Sequence, residues 1–147
     1  LPPMSQHVTL QFVSIDVYVV LAQLASSVGL TLVHEHSGGS PPRVSVEADN
    51  EPAGPVLERV LRKTSLESMV AGRALLVGSP AWLRPYRNTT TFTVTYATLG
   101  VSKAIEIVQG VFPYVQGTVK GATVTYQVPK AELDRIKDIA TSLDKPK

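Results

Sequence analysis

The order of strand-like and helix-like segments is the feature that most constrains the fold of this chain. Residues 8–15, VTLQFVSI, alternate apolar and polar side chains, which is the two-residue period of a β-strand. Apolar residues then recur at the spacing of one helix face from Val17 to Val28. Asp16 is placed to cap this helix and Gly29 to end it. A strand followed at once by an amphipathic helix indicates a mixed α+β fold.

Two further strands are predicted in the first half of the chain. Residues 30–36 and 43–48 have strand character, and the turn between them at 37–42 is rich in Gly, Ser and Pro. Because only this short turn separates the two strands, we predict that they pair with each other as a hairpin.

A second helix and two more strands complete the first half. The segment DNEPAGP at 49–55 interrupts the strand pattern and places Pro55 at the favoured first position of a helix. Short strands are then predicted at 66–71 and 73–78, which meet at Gly72. The predicted order of this half is therefore β-α-β-β-α-β-β.

The segment SPAWLRPYRNTTT at 79–91 separates the two halves. Its two prolines and its polar residues interrupt both periodicities, so we predict that it is irregular. The resulting prediction is a first domain at 1–80, a linker at 81–90 and a second domain at 91–147. Domains of this size can each bury a modest core.

The second half predicts the shorter order β-α-β-β-α. It begins with an alternating strand at 91–97, and Ser102 is placed to cap the following helix. The segment 117–128 predicts two short strands, and Pro129 opens a last helix that Pro146 helps to stop. Each half is thus predicted to be a small α+β sandwich with its helices on one face of a short sheet.

The composition excludes several kinds of function. The sequence has no cysteine, which excludes disulfides, thiolate metal ligands and a thiol nucleophile. The net charge is +2 without a run of like charges, which gives no indication of a nucleic acid or an acidic lipid as partner. We recognise neither a bilayer-spanning apolar stretch nor a signal peptide. Since the chain starts at Leu1, we expect a processed chain or a fragment of a longer protein.

Several long segments together carry a resemblance to a known family. In the first half they are VTLQFVSIDVYVVLAQLASSVGLTLV at 8–33 and NEPAGPVLERVLRKTSLESMVAGRALLVGSP at 50–80. In the second half the strongest is the closing pattern Ile-x-x-Ile-x-x-x-Leu-Asp-x-Pro at 136–146. The first half resembles the small N0 or STN-like domain at the N-terminus of outer-membrane secretins, and the second half resembles the N1 ring-building repeat that follows it.

The chain departs from the family pattern at two places. Ala53-Gly54 stand where the family often has Trp-Asp, so we expect the second helix to lack its usual side-chain cap. Gly121-Ala122 lie near the position of an Asn that commonly precedes the third strand of the repeat. Neither departure removes a core position, and we expect little effect on the fold.

The resemblance implies a role without catalysis and without cofactors. It implies a periplasmic part of an outer-membrane secretin, whose partners are other copies of itself in a ring, inner-membrane assembly proteins, and the passing pilus or secreted substrate. A first domain that ends in LLVGSP at 75–80 and is followed by a single repeat resembles the type IV pilus branch more than the type II or type III secretion branches.

For such a chain we expect lateral, polar contacts made by charged residues on exposed helix faces. A plain solvated helix face is the alternative interpretation for each of these residues, and exposed strand edges are a second possible contact surface. The candidate contact residues are Glu58, Arg59, Arg62, Lys63, Lys130, Arg135, Lys137 and Asp138.

The stretch Leu-Val-His-Glu-His at 32–36 raises the question of a metal site. On a strand, His34 and His36 point to one face and Glu35 to the other, so all three cannot bind one ion. A His-x-His pair supplies two ligands, whereas zinc needs a third and usually a fourth. The sequence therefore predicts no metal site, and we expect histidines that face solvent or a partner.

Other catalytic and binding motifs are also missing from the sequence. It contains neither a Gly-x-Ser-x-Gly nucleophile elbow nor a phosphate-binding loop. A nucleic-acid-binding module of KH type is a structural alternative, but the glycines at 117 and 121 have the wrong spacing for its loop. A signalling domain of a TonB-dependent receptor is the other alternative. It shares the first half but does not predict a repeat at 91–147.

Overall fold

The computed structural model describes residues 2–36 and 39–144 and has the mixed α+β architecture that the sequence predicts. Two short 3-10 helices, Pro3–Ser5 and Lys130–Glu132, accompany the main elements. The strands are β1 His7–Asp16, β2 Thr31–His34, β3 Arg43–Pro52, β4 Glu67–Ala71, β5 Ala74–Gly78, β6 Thr89–Thr95, β7 Gln116–Lys120 and β8 Thr123–Pro129. The helices are α1 Val17–Ser27, α2 Ala53–Arg62, α3 Pro80–Arg87, α4 Val101–Val111 and α5 Leu133–Ser142.

The chain divides into two compact units, each with its own hydrophobic core. The first unit comprises Leu1–Met69 and Ala74–Trp82, and the second comprises Val70–Arg73 and Leu83–Lys147. In the first core, helices α1 and α2 pack with β1, β3 and β5. In the second core, α4 and α5 pack with β6 and β8. Among the described residues, no helix has both the length and the apolar content needed to cross a membrane.

The strands of the first unit form two sheets, so the predicted hairpin of the second and third strands is wrong. Strand β3 pairs antiparallel with β1, whereas β2 pairs parallel with β5 in a sheet of order β2-β5-β4. Every residue of β5 is buried, which is typical of a central strand that needs a neighbour on both sides. Strand β2 supplies one of these neighbours. Ser37 and Gly38 of the predicted turn lie outside the described residues.

Helix α2 begins earlier than the sequence predicts. Strand β3 continues through residues 49–52, where Glu51 pairs with Val8 and Pro52 with His7, and the helix starts at Ala53. Pro55 is therefore the third helical residue, where its missing N–H costs no helical hydrogen bond. The expected lack of a side-chain cap is confirmed. The backbone carbonyl of Gln6 instead accepts the Ala53 N–H at 2.9 Å.

Residues 80–87 form helix α3 and are not irregular as predicted. The Ser79 hydroxyl accepts the Trp82 N–H at 3.2 Å, which caps the helix. Pro80 takes the first helical position, where proline is tolerated, and Leu83 is fully buried. The cap and this buried side chain outweigh the loss of one helical hydrogen bond at Pro85. The domain boundary at 81–90 stays a prediction.

The second unit has the predicted order and one sheet, β6-β8-β7, in which both pairs are antiparallel. The turn that joins β7 to β8 is Gly121-Ala122, one residue later than the predicted Lys120-Gly121, because Lys120 still belongs to β7. Ser102 is wrong as a cap, because α4 starts at Val101 and the Gly100 carbonyl accepts the Ala104 N–H at 3.0 Å. The expected stop at Pro146 lies outside the described residues.

Candidate interaction surface

Helix α2 presents a charged face that the spacing of its residues creates. Val56, Leu57 and Val60 are buried in the first core, so the positions between them point away from it. Glu58, Arg62 and Lys63 are accordingly exposed, and Arg59 is half-buried. The structure thus places the four predicted contact residues of the first unit on one face of this helix and at its end.

Arg59 forms a two-point ion pair with Glu51 of the neighbouring strand β3. One guanidinium nitrogen lies 2.7 Å from Oε1, and the other lies 3.1 Å from Oε2. The hydrogen bonds from Arg59 hold the pKa of the Glu51 carboxyl below its usual value. The guanidinium also donates to the Glu47 carbonyl at 3.1 Å. Arg59 is therefore engaged within its own unit.

Lys63 also binds the backbone of β3, two residues before the carbonyl that Arg59 contacts. Its ammonium donates to the Ser45 carbonyl at 2.7 Å. Ser45 and Glu47 are alternate residues of β3, so their carbonyls point to the same side of the strand, and the bonds that both accept from α2 side chains indicate that this side faces away from β1. Arg59 and Lys63 thus bind the outer edge of β3, which protects that edge from pairing with another strand.

Glu58 and Arg62 are the charged residues of α2 that remain available to a partner. Among the described residues, neither side chain forms a hydrogen bond or an ion pair. Arg62 also lines a shallow groove of about 280 Å³ between α2 and β3. The other residues of this groove are Ser45, Val46, Glu47, Arg59 and Lys63.

In the second unit, Glu132 holds Arg135 in place. The two side chains form an ion pair three residues apart, and the Arg135 guanidinium lies 5.0 Å from the centroid of the Phe112 ring. The Tyr114 hydroxyl donates to the same carboxylate at 2.7 Å. Burial raises the pKa of Tyr114, and the hydrogen bond to Glu132 raises it further.

The remaining predicted contact residues of the second unit are exposed. Lys137 and Asp138 are adjacent on α5, and Lys130 begins the 3-10 helix before it. Among the described residues, none of these three side chains forms an ion pair or a hydrogen bond. Lys137 and Asp138 therefore place opposite charges side by side on one open helix face.

Asp144 binds a loop of the second unit that sequence reasoning did not single out. Its carboxylate accepts the Thr98 hydroxyl at 2.6 Å and the Leu99 N–H at 2.7 Å. It also accepts the backbone N–H groups of Ala97 and Thr98. These bonds, led by the Thr98 hydroxyl, lower the pKa of Asp144 to about 2. Its place in the closing Leu-Asp-x-Pro pattern is the sequence signal that could have identified this role.

The histidine stretch forms a cluster at the end of β2. The His34 ring stacks on Tyr18 with 4.0 Å between ring centroids, and the His36 ring lies 4.8 Å from His34. Glu35 is turned elsewhere, because its carboxylate accepts the Ser79 N–H at 2.9 Å. The predicted separation of the two histidines from Glu35 is confirmed.

Solved structures similar to this chain come from several secretion and pilus systems. The type IV competence pilus secretin PilQ of V. cholerae matches 94% of this chain at 17% identity, with a TM-score of 0.44. The N-terminal domain of the secretin XcpQ from Pseudomonas aeruginosa matches 95% at 18% identity, with a TM-score of 0.39. One chain in the atomic model of the injectisome basal body proteins InvG, PrgH and PrgK of Salmonella matches 92% at 10% identity, with a TM-score of 0.40.

This chain spans 38%, 66% and 28% of those three solved chains, respectively. No protein-family model and no curated protein matches the sequence. Two of these three solved structures are described as secretins.

Proposed function

We propose that this chain is a non-catalytic periplasmic part of an outer-membrane secretin channel. In this role it contacts other copies of itself in a ring, inner-membrane assembly proteins, and the pilus or substrate that passes through. The single observation that carries the proposal is the succession of two α+β units, β-α-β-β-α-β-β with α3 after it and then β-α-β-β-α, in one short chain.

The second unit favours a secretin over the signalling domain of a TonB-dependent receptor. A receptor would have a domain like the first unit but would continue into a plug and barrel. Here a second α+β unit follows, and the Ile-Leu-Asp closing pattern, which resembles that of the ring-building repeat, lies on α5 and just after it. Within that pattern, Ile136 is fully buried in the second core and Asp144 forms hydrogen bonds with the loop after β6.

A nucleic-acid role has less support from the second unit. KH domains bind RNA with a Gly-x-x-Gly loop between two helices. Here Gly117 lies within β7 and Gly121 in the turn to β8, so the glycine pair belongs to a strand hairpin.

The roles of the carboxylates support a function without catalysis. Asp16 accepts the Tyr18 N–H as the cap of α1, and Glu51 pairs with Arg59. Glu132 binds Arg135, and Asp144 binds the loop after β6. Each of these groups already has a structural partner, whereas a general acid or base has to reach a substrate.

The contacts of the ring are proposed to involve Glu58 and Arg62 on α2 and Lys137 and Asp138 on α5. Each pair presents both signs of charge on an open helix face. Around a closed ring, one face of a subunit meets a different face of the next, and opposite charges favour the correct register. Arg59, Lys63 and Arg135 are held within their own units and contribute less to such contacts.

The type IV pilus branch is proposed over type II or type III secretion. The supporting feature is the segment LLVGSP at 75–80, which ends β5 and leads into α3. Deleting the gene and measuring surface pili alongside secreted enzymes tests this choice. Loss of pili with normal secretion supports it, and loss of secretion with normal pili overturns it.

Ring contacts can be tested by cysteine cross-linking, because this stretch of sequence has no cysteine of its own. Arg62→Cys and Lys137→Cys are introduced together into the full-length protein, so that each copy carries one thiol on each proposed face, and the protein is then treated in cells with a thiol cross-linker. Copies that meet at these faces are expected to give a ladder of oligomers on a denaturing gel.

Val60→Cys combined with Lys137→Cys is the matched control, because Val60 lies on the same helix as Arg62 but is only 1% exposed. It is expected to give no ladder. Monomers alone from the Arg62→Cys and Lys137→Cys double variant in assembled rings would refute the proposed contact faces. A full-length protein that forms no ring in the outer membrane would refute the secretin role itself.

A further inference from the structure

The cluster at the end of β2 brings two imidazole rings together on one side of the strand. His34 is the last residue of β2 and His36 lies two residues beyond it, and the contact between their rings places both side chains on the same side of the chain. Their ring centroids lie 4.8 Å apart with 52° between the ring planes. Two nitrogens bound to one metal ion lie about 3 Å apart, given metal–nitrogen distances of about 2.0–2.1 Å. Since the nitrogens lie on the rims of the rings, this separation allows one nitrogen of each ring to reach that spacing.

A hydrogen bond sets which nitrogen of His34 can bind a metal. Nδ1 lies 3.0 Å from the Glu35 carbonyl oxygen. A carbonyl only accepts hydrogen bonds, so Nδ1 carries the proton and Nε2 of the neutral ring keeps its lone pair. Metal-binding histidines in proteins typically donate their second ring N–H to a carbonyl or a carboxylate in this way.

Packing restricts the orientation of the His34 ring. Tyr18 of α1 stacks on it with 4.0 Å between centroids and 15° between ring planes. The ring is half-buried, whereas His36 is exposed to solvent. The His34 ring is therefore held in place by its surroundings, whereas the exposed His36 ring is free to turn toward a bound ion.

We propose that His34 and His36 chelate a divalent first-row transition metal, with solvent or a partner protein supplying the remaining ligands. Neutral imidazole suits copper, nickel and zinc, and the general order of affinity places Cu²⁺ above Ni²⁺ and Zn²⁺. This inference is independent of the proposed secretin role.

The inference revises the sequence-based expectation of no metal site. That expectation counted the three or four ligands that one protein supplies to a structural zinc ion. Among the described residues, no group of three His, Asp or Glu side chains could hold a metal ion. A two-histidine site differs because it is open, so an ion bound there keeps positions for other ligands. The exposure of His36 leaves room for them.

The experiment is a titration of the tag-free chain with CuCl₂, followed by calorimetry and by paramagnetic broadening in ¹H–¹⁵N NMR spectra. Binding is expected to broaden the amide signals around residues 33–36 and that of Tyr18 first. His36→Gln is expected to weaken binding about tenfold or more, because losing a direct ligand costs at least as much as losing a supporting one. His34→Gln is expected to have a similar effect.

Two variants serve as controls. Glu35→Gln keeps an oxygen for the Ser79 N–H and faces away from the histidines, so Cu²⁺ affinity is expected to be unchanged. His7→Gln removes the third imidazole, which bonds to the Asn50 carbonyl at 3.0 Å, and is also expected to leave affinity unchanged.

His36 is exposed, so its replacement keeps the test valid even if His34→Gln disturbs the packing on Tyr18. Equal Cu²⁺ affinity of the original chain and His36→Gln would overturn the proposal. A loss of affinity in His7→Gln alone would overturn it as well, because it would locate the metal elsewhere.

Discussion

The hydroxyl groups of Tyr96 and Tyr126 lie 2.7 Å apart inside the second core. Tyr96 donates to the Ala140 carbonyl of α5 at 3.0 Å, so the Tyr126 hydroxyl donates to Tyr96. Tyr126 is fully buried and Tyr96 is 3% exposed. The pair therefore connects strands β6 and β8 to the end of α5 through two hydrogen bonds shielded from water.

The direction of these bonds predicts unequal costs for the two Tyr→Phe variants. Tyr96→Phe leaves the buried Tyr126 hydroxyl without its acceptor and the Ala140 carbonyl without this donor. We expect it to lower the free energy of unfolding by about 1–3 kcal/mol. Tyr126→Phe keeps the Tyr96–Ala140 bond and is expected to cost about 0.5–1.5 kcal/mol. Urea unfolding measures both, and a larger cost for Tyr126→Phe would contradict the assignment of donor and acceptor.

The lowered pKa of Asp144 predicts that the folded protein loses stability in acid. Because this pKa is lowered to about 2 from the ordinary 3.8, the folded state favours the charged carboxylate. The stabilisation is fully present above the unfolded pKa near 4 and is lost as the pH falls through the folded value near 2.

The measurement is the melting temperature of the original chain and of Asp144→Asn at pH 7 and at pH 2. At pH 7 the original chain is expected to melt at a higher temperature. The difference in melting temperature between the two proteins should shrink as the pH falls from 4 to 2. A gap that stays constant over that range would show that the charge of Asp144 contributes nothing.

We expect the chain to self-associate when the side chains of Arg59 and Lys63 are removed. Their side chains bind the outward carbonyls of Glu47 and Ser45, so Arg59→Ala and Lys63→Ala together expose the edge of β3. We expect this double variant to form oligomers at concentrations where the original chain does not, as measured by sedimentation velocity.

Arg84→Ala combined with Lys103→Ala is the matched control, since it removes the same charge from exposed helix positions without freeing the edge of β3. Its sedimentation is expected to match that of the original chain. Equal self-association of the two double variants would mean that net charge, and not the edge of β3, controls association.

Gly72 and Gly121 allow the free-energy cost of adding a side chain to be compared at two similar backbone conformations. Both have positive φ, +57° and +61°, and both lie in the second unit. A Cβ at Gly72 would lie 2.3 Å from the Val115 carbonyl oxygen, whereas one at Gly121 would have no neighbour within 4 Å. Alanine at either site costs about 1–2 kcal/mol for the left-handed backbone.

We therefore expect Gly72→Ala to destabilise the second unit clearly more than Gly121→Ala, because the backbone near Val115 also has to move. Urea midpoints of the two variants give the comparison. Equal midpoints would indicate that the backbone around Gly72 moves to accommodate the new Cβ without a cost in the free energy of unfolding.

The sequence by itself determined the order of the elements and most of their buried faces. The spacing of Val17, Val20, Leu21 and Leu24 predicts the core side of α1, and all four are fully buried. Such patterns are local, since a helix or strand repeats its exposure every 3.6 or 2 residues regardless of what it packs against. For the same reason, the exposed positions of Glu58 and Arg62 on α2 could be predicted.

Only the tertiary structure decided which strands pair and which charged groups are already engaged. The pairing of β2 with β5 joins segments about 40 residues apart, and nothing local distinguishes it from the predicted hairpin with β3. Likewise, Arg59 pairs with Glu51 across a strand–helix turn, and Asp144 binds residues 97–99. Whether residues 80–87 form a helix also depended on the burial of Leu83. Long-range burial and hydrogen bonding choose among locally equivalent alternatives, and a one-dimensional pattern does not contain that information.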